Sequence, residues 1–529
     1  MRSFDYVIVG GGSAGAVLAD RLSEDGRSTV LLLEAGGPDN HLSLRIPLGF
    51  VFALGNPALA WHHRTAPDLD GRVFGLPRGK VLGGSSSLNG LVWVRGQPED
   101  YDHWRQLGCS GWGYDDVLPY FRKIERYSEG ASEQRGGDGP LAITKGKRLN
   151  GASDLFIAAA VAAGLPLNDD YNDGDQEGVS YFQTTTRAGL RTSSATAYLR
   201  RAMKRRNLTV ETGATVETVT IESGRATGVR YRREGAAQEA QADGEVILSA
   251  GAISSPHILM LSGIGDPEQL ARLGILVRAA SPRVGANLRD HYNTTVVAAM
   301  KKEGLTINER RRLPYAAIEA LKYGFLRGGM FATSPAQVVA FARSGPQATT
   351  PDIELMMVPA VTGDKPGRLP PTPGLGCGVQ PIRAESVGTV SLDPADPAAM
   401  PVIRPNYLSA PADQQVTVAG LRLIRRIFAQ EPLASHITGE ILPGVDVESD
   451  DELLAFARAK GTTAHHLVGT CAMGPDPAAV VDPTLKVNGV AGLRVADASI
   501  MPMIVSGNTN AATVMIAERA SAFILSDRR

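Results

Sequence analysis

The chain has 529 residues, more than one hydrophobic core ordinarily serves, so two or more domains are expected. Lys+Arg number 54 and Asp+Glu 55, a net charge of −1, which leaves no basic face to attract a nucleic acid. Three cysteines, Cys109, Cys377 and Cys471, are too few for a disulfide framework and point to a reducing compartment. The sequence runs from Met1 into an apolar strand pattern without a secretory n- and h-region. No stretch of roughly 18 apolar residues would span a bilayer either. A cytoplasmic protein is expected, with peripheral membrane contact left open and the oligomeric state unspecified.

The first segment reads as a βαβ unit: strand Tyr6–Val9, a glycine turn, a helix to about Leu22, and strand Thr29–Glu34. A Pro- and Gly-marked loop region runs from Gly36 to Gly79, and a second glycine turn, Gly83–Ser87, leads into the apolar Leu88–Val94. Four strands are predicted next, over Asn207–Glu211, Val216–Ile221, Ala226–Arg232 and Glu245–Ala250. Residues 291–455 mix strands with proline-rich loops such as Pro366–Pro373. Within them Gln414–Ala429 carries apolar residues at Val416, Val418, Leu421, Leu423, Ile424 and Phe428, the spacing of a half-buried helix. Glycines and short apolar strands return from Thr462, and Thr513–Ile524 ends the chain as a helix.

Gly10-Gly11-Gly12-Ser13-Ala14-Gly15 is a G-x-G-x-x-G. Its glycines serve a tight turn (Gly10), close approach of a diphosphate (Gly12) and close helix–strand packing (Gly15). The diphosphate would sit at the helix N-terminus, where free N–H groups and the helix dipole favour anions. With 59 glycines in the chain, about 0.7 such triplets would arise by chance, so context must carry the assignment. An apolar strand precedes the motif, a helix follows, and Glu34 closes the next strand, placed to accept from both ribose hydroxyls. That context predicts a dinucleotide site but does not separate FAD from NAD.

Gly79-Lys80-Val81-Leu82-Gly83-Gly84-Ser85-Ser86-Ser87-Leu88-Asn89 resembles the first signature of the glucose–methanol–choline (GMC) oxidoreductases. The Gly251–Gly265 segment resembles the second, and His466–Gly474 with Leu493–Asn510 complete the pattern in family order. The resemblance implies FAD. It also implies an α/β (α+β overall) fold, in which a Rossmann-like FAD-binding domain is interleaved with a substrate domain built on an antiparallel sheet with helices. The expected division is 1–150, 195–290 and 455–529 for FAD, with 151–194 and 291–454 for substrate. By position, Val81, Leu82, Asn89 and Gly90 match the segment along the flavin and its diphosphate, and Val216 matches a residue meeting the adenine. Ala250, Asp497 and Ala498 match positions near ribose and diphosphate; Ser13, Ala14, Ala35 and Thr509 join them as cofactor contacts. Some members attach FAD through a histidine just before the signature asparagine. Here that residue is Leu88, so the resemblance implies non-covalent FAD.

Alcohol oxidation needs a base for the hydroxyl proton and a donor that stabilises the oxygen as charge develops. The resemblance places the base at His466 and its companion at Asn508, both facing flavin N5. If this segment is a strand, His465 and His466 point to opposite faces and only one reaches the flavin. His62 and His63 lie in an early loop that could border the active site but are read as structural or surface residues, and His291, at a junction between domains, is read as structural. No spacing suggests a metal site, no G-x-S-x-G elbow is present, and Cys471 reads as a buried filler. Met330, Phe331, Met356 and Met357 suit core packing, with an apolar cavity wall as the alternative. The expected activity is oxidation of a primary alcohol to an aldehyde, with O2 or a quinone as acceptor. Aliphatic, aryl and heteroaryl alcohols such as pyridoxine, and choline, all stay open as substrates. A lyase on the same fold, of hydroxynitrile lyase or photodecarboxylase type, and a non-catalytic flavoprotein are the alternatives.

Overall fold

The structure, a computed structural model, describes residues 2–146, 151–310, 313–361 and 369–528; the start of the Pro366–Pro373 stretch lies outside them. Strand Arg2–Val9 is flanked by parallel strands on both sides: Val30–Glu34, paired Tyr6 to Val30 through Val9 to Leu33, and Ala236–Leu248. Leu208–Thr212 extends the parallel set beyond Val30–Glu34, and Leu493–Val495 lies parallel to the end of Ala236–Leu248. The start of Ala236–Leu248 carries the antiparallel Arg225–Arg233, followed by Ala214–Glu222. The core of the parallel set reads as Val, Ile and Leu, as at residues 30–33 and 246–248, because these stretches are fully buried. Helix Gly15–Leu22 buries every one of its residues against them, and the terminal helix Asn510–Asp527 packs beside it.

Gly15 makes that approach possible. A Cβ there would stand 1.8 Å from the Gly10 carbonyl oxygen and 2.7 Å from Ser249 Oγ, so a larger residue forces the helix off the strand. Gly10 itself turns the chain at a φ of +97°, in the left-handed region that glycine tolerates. The Glu34 carboxylate then seals the turn from the neighbouring strand, accepting the Gly11 N–H at 2.7 Å and the Gly36 N–H at 2.8 Å.

A second sheet is antiparallel throughout. Its order is Ile437–Leu442, Tyr292–Met300, Gly374–Pro381, Ile353–Val358, Val338–Ala342 and Gly178–Tyr181, with Thr462–Thr463 paired to the start of Tyr292–Met300. Helix Pro411–Phe428 lays Leu421, Ile424 and Ile427 on this sheet, joined by Phe156 from helix Gly151–Ala162. Two expectations need correction. The Gly36–Gly79 region is not plain loop: strands Ala60–Arg64 and Gly75–Gly79 form an antiparallel ladder there, putting His62 and His63 on a strand. The His465–His466 step is not strand either, because His465 takes a φ of +65°. Among the described residues no helix is long and apolar enough to cross a membrane.

The two ends of the chain are joined by charge in the core. Arg21 donates through Nε and Nη2 to the fully buried Glu518, which Lys123 also reaches at 2.9 Å. Removing one partner of such a pair leaves an uncompensated buried charge. Glu518→Gln is therefore expected to cost about 3–5 kcal/mol, read as a lowered midpoint in thermal unfolding at equal FAD loading. An unchanged midpoint would count against the pair as a clamp between the ends.

Candidate active site

A cavity of about 630 Å³ lies where the parallel strands end and the second sheet begins, within the size range of ligand pockets. One end of its wall comes from the glycine turns and the parallel sheet: Gly10, Gly12, Ser13, Ala14, Glu34, Ala35, Val216, Ala250, Asp497 and Ala498. Asn89, Gly90, His466, Asn508 and Thr509 carry the wall on toward the second sheet. Three of the residues predicted from sequence stand behind the wall instead of on it. Gly15 serves the helix–strand contact, while Val81 and Leu82 are buried in hydrophobic clusters.

His466 is held from several directions. Its backbone N–H donates to Asp290 Oδ1 at 2.6 Å, and Asp290 Oδ2 accepts from the Thr463 and Tyr407 hydroxyls, each at 2.6 Å. Arg78 donates to the His465 carbonyl at 2.7 Å. The left-handed turn at His465 thus has both flanks tied, and it brings both histidines to the cavity wall. The premise that one of the pair must point away fails with the strand geometry.

The imidazole of His466 sits in a chain of hydrogen bonds whose direction follows from chemistry. His291 Nε2 lies 3.1 Å from the carbonyl oxygen of Ile382, which can only accept, so that nitrogen carries a hydrogen. Burial pushes the His291 imidazole down to about 4; it is neutral, and its Nδ1 is an acceptor. His466 Nδ1, 3.0 Å away, must then be the donor. A neutral His466 consequently keeps its lone pair on Nε2, where the Asn508 amide donates at 2.9 Å. His466 is itself held well below the ordinary imidazole value by burial, then by His291, His465 and Arg78. The arrangement is a neutral imidazole on the cavity wall whose Nε2 lone pair faces the Asn508 amide.

Asn508 is aimed by the loop before it. Asp100 accepts the Ser506 N–H and hydroxyl, each at 2.7 Å, and Gly507 follows at a φ of +133°. A Cβ on Gly507 would come within 2.5 Å of Val94 Cγ1, so the loop can pass there only as glycine. Asn508 Oδ1 is buried without a hydrogen-bond partner, as are His465 Nδ1 and both ring nitrogens of His63. All four atoms belong to residues of the cavity wall.

These features fit FAD. The glycine turn at Gly10–Ala14 opens at a helix N-terminus suited to a diphosphate. Glu34 keeps acceptor capacity beyond its two backbone bonds, although burial pushes its carboxyl up to about 7. Asp497 pins the opposing turn, accepting the Gly251 N–H at 2.8 Å, the Ser255 hydroxyl at 2.5 Å and the Ser499 N–H at 2.8 Å. Leu88 is on the wall as well and offers no nucleophile.

Sequence reasoning read His291 and His63 as structural. His291 contacts His466 across 175 positions of sequence, and no local pattern marks such a contact. For His63, the strand signal in Ala60–Arg64 was the available clue.

Both halves of the chain match family models described as GMC oxidoreductase, over residues 4–293 and 384–517. The chain is 44% identical to mitochondrial choline dehydrogenase of Homo sapiens, covering 98% of this chain and 89% of the relative. It is 40% identical to an alcohol dehydrogenase [acceptor] of Pseudomonas putida, covering 99% and 96%. Among solved structures, pyridoxine 4-oxidase from Mesorbium loti superposes with a TM-score of 0.89 at 31% identity, covering 98% of each chain. Formate oxidase of Aspergillus oryzae superposes with a TM-score of 0.92 at 28% identity, covering 99% of this chain and 98% of the other. With the glycine turn, the Glu34 seal and a neutral imidazole beside an asparagine amide at one cavity, the chain belongs to the GMC oxidoreductase family.

Proposed function

We propose that this flavoprotein oxidises a primary alcohol to its aldehyde, with His466 as base and Asn508 as donor to the substrate oxygen. The observation that carries the reading is the directed chain from the Ile382 carbonyl through His291 to the Nε2 lone pair of His466. FAD, when bound, supplies the acceptor for the hydride that leaves the carbinol carbon. The rest is the work of side chains. His466 Nε2 takes the hydroxyl proton, and the positive charge that develops is delocalised over a ring held edge-on by His291. The Asn508 amide donates to the oxygen as its charge grows. Asp290 and Arg78 fix the backbone that carries the imidazole, and His291 holds the ring through Nδ1.

Gly10, Gly12, Ser13 and Ala14 would hold the diphosphate and Glu34 the ribose, with Ala35, Val216, Ala250, Asp497, Ala498 and Thr509 as further contacts. Asn89 and Gly90 would lie beside the flavin. The hydrocarbon side chain of Leu88 supports non-covalent attachment. Residues 1–150, 195–290 and 455–529 form the FAD-binding part in this reading, and 151–194 and 291–454 the substrate part. The electrons leave to dioxygen or to a quinone. Three free, buried cysteines accord with a reducing, cytoplasmic setting.

His466→Ala is expected to keep its FAD and lower the anaerobic flavin-reduction rate at least about a hundredfold. An unchanged rate with a saturating alcohol would remove His466 from the mechanism. A base must be unprotonated to act, and the His466 imidazole is held well below 6.5, so activity is lost only as pH falls through that depressed value. The acid limb of kcat/KM should thus lie below pH 6.5; a limb centred above it contradicts the environment described. His291→Leu takes away the acceptor for His466 Nδ1–H. It is expected to retain FAD while slowing flavin reduction at least about tenfold, and wild-type speed would show that the chain of hydrogen bonds is dispensable.

A further inference from the structure

Resting on that reading of the cavity, we infer that the substrate is an uncharged primary alcohol with an apolar body, and that a quaternary-ammonium alcohol is selected against. A trimethylammonium group cannot donate hydrogen bonds, so once water is stripped from it only a nearby carboxylate or an open aromatic face compensates its charge. Among the described residues the wall offers no uncommitted carboxylate, and its one large aromatic ring without a bound cation is Phe50.

The second sheet and its loops contribute Asn293, Ser334, Pro335, Ala336, Met356 and the loop Pro397–Pro401, all without charge. Two carboxylates line the cavity, Glu34 and Asp497, and both are committed to backbone N–H groups in the turns at the nucleotide end. Asp290 and Glu354 are fully or nearly fully buried and stand off the wall. Asp290 is saturated by the Tyr407 and Thr463 hydroxyls and the His466 N–H. Glu354 accepts from Gln380 at 2.6 Å, and burial pushes its carboxyl up to about 7, which thins its charge further.

The aromatic route is narrow: a lone phenyl ring is no cage for a quaternary ammonium. Phe50 and Trp61 are the large aromatic side chains on the wall. The Trp61 ring already carries the Lys80 ammonium 4.2 Å from its centroid. The fixed cation that does line the cavity is Arg78, bonded to the backbone of His465 beside the base. An incoming cation thus meets like charge where it would need the opposite. This separates the chain from what the name of its 44% identical human relative suggests.

The test compares choline with 3,3-dimethylbutan-1-ol, the same shape with a quaternary carbon in place of the quaternary nitrogen. Anaerobic reduction of the FAD-loaded enzyme is followed by stopped-flow. The neutral alcohol is expected to give a second-order rate constant at least about tenfold above that of choline. Equal or faster reduction by choline overturns the inference while leaving alcohol oxidation standing. Reduction by no alcohol in a wider panel, these two included, overturns both. A second arm uses Asn293→Asp, which places a carboxylate on the wall. The rate ratio should move toward choline at least about fivefold, with reduction by the neutral alcohol still measurable. A ratio that does not move in an FAD-loaded variant shows that charge is not what selects, and overturns the inference.

Discussion

A carbonyl oxygen has no hydrogen to give, and in this molecule that limitation of Ile382 fixes the state of a residue it does not touch. The Ile382 carbonyl makes His291 a donor at Nε2 and an acceptor at Nδ1; His291 in turn makes His466 a donor at Nδ1. That leaves the lone pair of a neutral His466 on Nε2, at the cavity wall beside the Asn508 amide. Burial reinforces the arrangement, since desolvation and the neighbouring His291, His465 and Arg78 all oppose a second proton. The relay spans elements far apart in sequence. Ile382 follows the strand Gly374–Pro381, His291 precedes Tyr292–Met300, and His466 sits on a turn after Thr462–Thr463. The second sheet therefore helps set the hydrogen-bonding state of His466 as well as lining the cavity.

The parallel sheet does a different job. Its strands end in turns whose N–H groups are either sealed by carboxylates, at Glu34 and Asp497, or left at a helix N-terminus. Anion binding and tight backbone approach come from the same feature, a chain that can turn at Gly10 and pack at Gly15. The charge of the cavity follows from this division. Negative groups are committed at the nucleotide end, and the substrate end keeps neutral side chains and one guanidinium. Family membership sets the class of chemistry, oxidation at a CH–OH group.

Much of this was legible in the sequence, and the failures have physical causes. The first βαβ unit was legible because its strands carry runs of Val, Ile and Leu and its glycines have single uses, although strand Arg2–Val9 starts four residues before the expected Tyr6, where polar residues hide it. The helix Pro411–Phe428 showed its 3.6-residue period because one face is solvated. Strand Gly374–Pro381 is buried on both faces and rich in glycine, so no alternation marks it. The hairpin ladder at Ala60–Arg64 and Gly75–Gly79 was masked by Gly and Pro on either side. His465 and His466 looked like strand because no sequence rule foresees a histidine held at φ +65° by partners as remote as Asp290 and Arg78. Motif position pointed to His466 and Asn508, which the fold places 2.9 Å apart on the cavity wall; the His291 contact that orients His466 is one that only the folded chain makes.

The account comes down to whether one lone pair and one amide meet the same oxygen. A crystal structure of the FAD-loaded enzyme with a non-oxidisable analogue of an apolar primary alcohol tests it most directly. The account predicts the analogue's oxygen at about 2.6–3.2 Å from both His466 Nε2 and the Asn508 amide, with His291 still joined to His466 Nδ1. An oxygen bound elsewhere on the wall, or an imidazole released from His291 and rotated out of the cavity, would contradict it.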